Sequence, residues 1–217
     1  MTARDQMLTR VRGALGRFLK DPVPEPPPVR LRIPPPSADP VAQRVQQFTA
    51  ALTALAGKVT AVPNVAAAKS ALASILNHRT FAASPAPILK ACGIAGEFSR
   101  EAYAAAEVGI SSADFALADT GSLVFLSESH ESRLISLLPP CHVVVLAREK
   151  ILSGLDELFT IIPHPAANSS SMVLVTGPSR TADIEMRLVR GVHGPGEIHV
   201  MIVEDVTASL FNASEET

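Results

Sequence analysis

Two glycine-containing stretches carry the residue types that hold small anions. Asp119-Thr120-Gly121-Ser122 sets hydroxyls on either side of a glycine, where backbone N–H groups can approach an anion closely. The same residues also suit a hairpin turn, with Asp and Gly doing the turning. Thr176-Gly177-Pro178-Ser179 follows an apolar run and leads into Arg180 and Thr181. A helix starting there would offer unpaired N–H groups and its positive dipole end to an anion, with Ser179 or Thr181 as N-cap. Asp183 and Glu185 would already complement that dipole, and Arg180 would have to offset them for a phosphate to bind. Asp183 could instead accept a substrate hydroxyl or act as a base. Further on, Gly191-Val192-His193-Gly194-Pro195-Gly196 wraps glycines around one histidine. A histidine near neutral pKa suits acid–base work; the plainer reading is a turn with an incidental polar residue.

Other familiar chemistry is missing. There is no GxxxxGK[ST], no GxGxxG after a strand and no GxSxG. His78, His130, His142, His164 and His199 show no metal-ligand spacing. Cys92 and Cys141 are far apart, so the chain cannot supply the four thiolates of a conventional iron–sulfur cluster. No metal site and no bound cofactor are expected on this chain.

The elements that must position these residues follow from periodicity. Leu8, Val11, Leu15, Phe18 and Leu19 predict an amphipathic helix over 4–19, which needs a surface to dock on. Nine of the 18 prolines fall between Pro22 and Pro40, so residues 21–40 read as an extended linker, with an SH3-type ligand as the alternative. From Val41 helices and strands alternate: helices over 41–56 and 64–77, strands at 59–62 and 79–83, and a short helix within 84–98. Phe115–Ala118 and Leu123–Leu126 flank the hairpin-like turn. A short helix over 131–138 precedes His142–Ala147, a β-branched run typical of a strand buried on both faces. A helix over 149–160, a strand Met172–Val175, a helix over 180–190 with Arg187, Arg190 and a C-terminal Gly191, and a strand Ile198–Val203 complete the body. This predicts an α/β domain over 41–210 with a mostly parallel sheet, its ligand site beyond the carboxyl ends of the strands.

Composition narrows the function. With 217 residues, 19 Lys+Arg and 21 Asp+Glu, the chain carries a formal charge of −2 and only 4% aromatics, which argues against a nucleic-acid partner. No apolar run reaches the length of a membrane span. Two cysteines and no secretory h-region point to a reducing, cytoplasmic setting; the basic N-terminus gives a mitochondrial presequence as a minor alternative.

GISSADFALADTGSLVFL, LLPPCHVVVL and VTGPSRTADIEMRLVRGVHGPGEIHVMIVED together resemble the LUD domain family, and within it the lactate utilisation protein C branch. Where that family commonly has Glu-Thr-Gly-Thr, this chain has Asp119-Thr120-Gly121-Ser122. The resemblance spans residues 105–205 strongly and the N-terminal helix weakly. It implies a three-layer α/β/α fold similar to the NagB/RpiA/CoA-transferase group. It also implies a place in iron–sulfur-dependent, flavin-independent oxidation of L-lactate to pyruvate, beside two cysteine-rich iron–sulfur subunits that carry the clusters. It implies no catalytic residue. On residue type and position, Arg180 suits the lactate carboxylate, His193 or Asp183 the hydroxyl proton, and Thr120, Gly121 and Ser122 an anion loop. Two other readings stand beside it. One is a self-sufficient enzyme or binder for a phosphate, CoA or folate-type ligand. The other is a non-catalytic assembly subunit gripping a neighbour through residues 1–40.

Overall fold

The computed structural model describes residues 2–16, 39–96, 99–127, 133–181 and 189–206. Two compact units result, Met1–Arg30 and Leu31–Thr217. In the first, α1 (Ala3–Ala14) opens with a capping box in which Thr2 and Asp5 bond reciprocally. Met7, Val11 and Leu15 are 64%, 48% and 66% exposed. The remainder of the expected helix and linker, residues 17–38, lies outside the described residues. The last two linker residues belong to the body: Asp39 caps α2 (Pro40–Ala54) by accepting from the amides of Val41 and Ala42, and Pro40 fills the first helical turn.

The body is built on a five-stranded, wholly parallel sheet of β1 (Lys58–Asn64), β2 (Phe81–Ala83), β3 (Val108–Ser112), β6 (Cys141–Ala147) and β11 (Glu197–Asp205). Its order is β1-β11-β6-β3-β2. The registers Cys141↔Glu197 and Cys141↔Val108 align the starts of the three central strands. α3 (Val65–Leu76) and α4 (Pro87–Ala91) cover one face, packing Leu72 and Leu89 against Val143, Val145 and Met201. Asn64 caps α3, and α5 (Arg100–Ala105), capped by Ser99, enters β3.

On the other face α2 lies beside a second sheet. This is ordered β7-β4-β5-β8, from β4 (Phe115–Leu117), β5 (Ser122–Leu126), β7 (Ile151–Leu152) and β8 (Met172–Val175). Phe48 and Leu52 of α2 meet Leu123 and Phe125 over Val144, Val200 and Ile202. α6 (Leu155–Ile161) closes the outer side of that sheet through Leu158 against Leu117 and Val124. α7 (Pro165–Asn168) follows. The α/β class with a mostly parallel main sheet stands, and the β4–β5 hairpin forms as expected, Leu117 opposite Ser122.

Three local expectations are corrected. Residues 149–160 are not one helix: Ile151 and Leu152 are 0% and 4% exposed and pair with Ala116 and Leu117 as β7, and α6 starts only after Ser153-Gly154. Nor is 180–190 a helix at its ends. Arg180–Thr181 (β9) pairs antiparallel with Val189–Arg190 (β10). Residues 182–188, with Asp183, Glu185 and Arg187, lie outside the described residues. The expected helix over 131–138 is a 3₁₀ turn at Arg133–Ser136 within the described part.

Candidate functional site

Each hydroxyl in the two loops brings one donor and two lone pairs, so its partners can be counted. Thr120 Oγ1 lies 2.8 Å from Ser122 Oγ, and Ser122 Oγ lies 2.7 Å from Thr176 Oγ1. The β4–β5 turn and the loop after β8 are thereby joined. Ser122 is 3% exposed, whereas Asp119, Thr120 and Thr176 are exposed. Three hydroxyls linked by two bonds leave one O–H free at one end of the chain, and its direction can reverse.

Two backbone amides of the turn, those of Asp119 and Gly121, are spent within the fold, as is that of Ala118 before it. Ala118 N–H donates to Leu152 O at 2.8 Å, Asp119 N–H to Ser153 O at 3.2 Å and Gly121 N–H to Leu117 O at 2.9 Å. The turn therefore offers side chains to a ligand in place of those amides. The Asp119 carboxylate lies close against Gly154: a Cβ there would stand 2.7 Å from Asp119 Oδ2. Glu157 holds that corner by accepting Ser153 N–H at 2.7 Å and Arg44 Nη1 at 3.0 Å. Burial pushes the Glu157 carboxyl up, but the Ser153 bonds and Arg44 outweigh it and hold it below the usual range.

The second loop leads into β9 at Arg180–Thr181. Ser179 N–H donates to Pro195 O at 2.9 Å and Ser179 O accepts from Gly191 N–H at 3.1 Å, so residues 179–181 run as a ladder beside 189–195. Ser179 is held by these ladder bonds, and Thr181 lies in β9. Gly177 backs onto Leu55, where a Cβ would come 3.1 Å from Leu55 Cβ, and Pro178 is buried. Arg180 Nη2 donates to Leu55 O, at the end of α2, where a cation complements the dipole. Its other donors make no ion pair among the described residues. His193 is exposed, and Gly194 backs onto Ser179, where a Cβ would stand 3.5 Å from Ser179 Cβ.

The location differs from the expected one. Gly196 N–H donates to Pro140 O at 2.9 Å; Pro140 and Gly196 immediately precede β6 and β11, and Leu55 lies three residues before β1. The loops 119–122, 176–181 and 191–196 thus gather at the amino ends of the main strands, around the end of α2. The carboxyl ends of β3 and β6 lead instead into Asp114-Phe115 and Lys150, which line a cavity of about 250 Å³. Nothing in the sequence reading singled these residues out. The signal was positional: a lysine just after a strand buried on both faces.

Among the described residues no cluster of three or more His, Cys, Asp or Glu could hold a metal, and no helix is long and apolar enough to cross a membrane. Both thiols are buried, and burial pushes the Cys92 and Cys141 thiols up, away from the thiolate that a cluster needs. The donor set on this chain does not fit an iron–sulfur cluster.

Comparison with known proteins follows these residues. A "Lactate utilization protein C" of Halalkalibacterium halodurans is 35% identical over 114 residues, covering 51% of this chain and 50% of its own. One of Bacillus subtilis is 36% identical over 104 residues, covering 46% and 43%. The chain thus spans about half the length of the curated relatives it matches. A crystal structure of a DUF162 family protein from Deinococcus radiodurans superposes with a TM-score of 0.56 at 19% identity, over 75% of this chain and 98% of that one. That likeness is one of fold. The model of the LUD domain matches residues 89–203, which include the Thr120-Ser122-Thr176 hydroxyl chain and both loops that it joins. That is more than half of the sequence, and the chain belongs to the LUD domain family.

Proposed function

We propose that this chain serves lactate utilisation as a subunit of a complex that oxidises L-lactate to pyruvate, and that it binds the small anionic substrate. The reading rests on the relatives' names and on one observation, the 2.7 Å Ser122–Thr176 contact that draws two family-matched loops into one site. Arg180 meets the substrate carboxylate with the donors left free by Leu55. The hydroxyl chain offers its free O–H to the second oxygen of the substrate, and His193 or Asp183 takes the hydroxyl proton. Oxidation also breaks the Cα–H bond, releasing a second proton to solvent and two electrons, and two cysteines are too few to ligate a conventional cluster that would accept them. The reading therefore needs partners, two cysteine-rich iron–sulfur subunits in the cytoplasm.

The test is co-purification with the partner subunits and measurement of lactate-dependent electron transfer with and without this chain. Arg180→Met and His193→Ala, made singly, are each expected to lower the rate at least about tenfold, the scale of a lost charged contact or proton acceptor. Unchanged rates in both variants overturn the assignment of residues, and an unchanged rate without the chain overturns the role. The exposed Met7, Val11 and Leu15 of α1 favour an added assembly role. If that role holds, deleting residues 1–30 abolishes co-purification and leaves the melting temperature of the body unchanged.

A further inference from the structure

The cavity of about 250 Å³ lies where parallel α/β sheets place ligands, beyond the carboxyl ends of two adjacent strands, β3 and β6. Phe115, Leu126, Ile162 and Pro165 give it apolar walls. Its polar wall groups are engaged in holding the walls. Asp114 Oδ2 accepts Leu126 N–H at 2.7 Å. Ser169 Oγ accepts Ser127 N–H at 2.8 Å and donates to Ser171 O at 2.7 Å. Lys150 is different. Its ammonium stands 5.1 Å from the centre of the Phe115 ring at the exposed side of the cavity. It has no carboxylate within ion-pair distance among the described residues.

An apolar hollow with one uncommitted cation at its rim selects a molecule that is apolar at one end and anionic at the other. The volume equals roughly eight waters, which matches a ligand of about ten heavy atoms. The engaged Asp114 carboxylate faces the same space, which disfavours di- and trianions and leaves room for a single negative charge. We propose that this cavity binds a small monocarboxylate with a branched or cyclic apolar body. The carboxylate pairs with Lys150 and the body lies against Phe115, Leu126 and Ile162. The site is separate from the loops at the amino edge and stands whether or not those loops bind lactate.

Titration of the full chain with 4-methylpentanoate, followed by amide NMR shifts, tests it. Saturable shifts centred on 114–115, 126, 150 and 162 are expected, with Kd on the order of 1 mM or tighter. Lys150→Met, which keeps the stem over Phe115, is expected to weaken binding at least about tenfold, and 4-methylpentanamide to bind equally weakly. Because Lys150 is exposed, this variant folds as the parent does, which an unchanged melting temperature verifies. Absence of saturable shifts at the cavity overturns the proposal. Equal affinity of the Lys150→Met variant, equal affinity of the amide, or shifts confined to 119–122 and 176–180 overturn it too.

Discussion

Ser122 Oγ, in a turn of the second sheet, bonds Thr176 Oγ1 across 54 positions of chain at 2.7 Å. Ser122 is 3% exposed and also faces Thr120 Oγ1 at 2.8 Å, so removing its hydroxyl breaks two contacts at once. Ser122→Ala is expected to cost about 1–2 kcal/mol in urea denaturation. Thr120→Val, at the exposed end, is expected to cost under about 0.5 kcal/mol. Because the three groups share one chain of bonds, Ser122→Ala combined with Thr176→Val should cost less than the sum of the singles. Strict additivity would show that the chain does not couple the loops.

The same turn is fixed to α2 by a glycine. Gly121 has φ +67°, and a Cβ there would come 2.5 Å from Leu52 N, a backbone atom that cannot move aside cheaply. Gly121→Ala combines left-handed strain of about 1 kcal/mol with overpacking of about 1–3 kcal/mol. A loss of about 3 kcal/mol in thermal or urea unfolding is expected. A loss under about 1 kcal/mol would mean that the hairpin does not rest on α2 in this way.

These two positions show how far the sequence could be read. Asp-Thr-Gly-Ser between two apolar runs specified its hairpin because local turn chemistry decides it. Val143–Val145 specified a doubly buried strand for the same kind of reason. β7 was hidden because Ile151-Leu152 is two residues long, and its pairing with Ala116-Leu117 is a tertiary fact. β3 was hidden because Gly109, Ser111 and Ser112 blunt its apolar pattern, while pairing with β2 and β6 supplies what propensity lacks. Arg180-Thr181 opens a sequence of good helix spacing, yet its partners are Arg190 and Val189. The placement of the loops at the amino edge depends on strand order, which no local signal carries. Lys150 escaped for that reason.

The cysteines give a cleaner chemical test. Cys92 and Cys141 are 0% and 5% exposed, both within the core under α3 and α4. Burial pushes both thiols up, and the attacking species in alkylation is the thiolate. The native chain is expected to resist iodoacetamide at pH 7.5. Both sites should label only as the protein unfolds, so that added urea raises the rate in step with the loss of structure. Rapid labelling of either thiol in the folded protein would contradict the packing.

His142 sets the acid side of the stability profile. Its ring is 0% exposed; Nε2 lies 2.8 Å from Ser111 Oγ, the Phe125 ring stands 5.8 Å away, and Nδ1 has no hydrogen-bond partner among the described residues. Burial lowers its pKa from 6.5 to about 4. The folded state therefore binds fewer protons than the unfolded state, so stability is full above pH 6.5 and is lost as pH falls from there toward 4. His199 acts in the same direction: burial lowers it first, Lys58 adds to this, and Thr60 Oγ1 bonds it at 2.8 Å. The Glu197 carboxylate pulls the other way and is outweighed. Between pH 7 and pH 5, His142 alone is expected to remove about 2 kcal/mol of unfolding free energy, before the ordinary carboxylates titrate. His142→Gln, which keeps a polar group toward Ser111, should lower stability at pH 7 but flatten that slope, while His199→Gln should flatten it less. Urea midpoints measured at half-unit steps from pH 5 to pH 7.5 distinguish these. A slope unchanged by His142→Gln would place the proton uptake elsewhere.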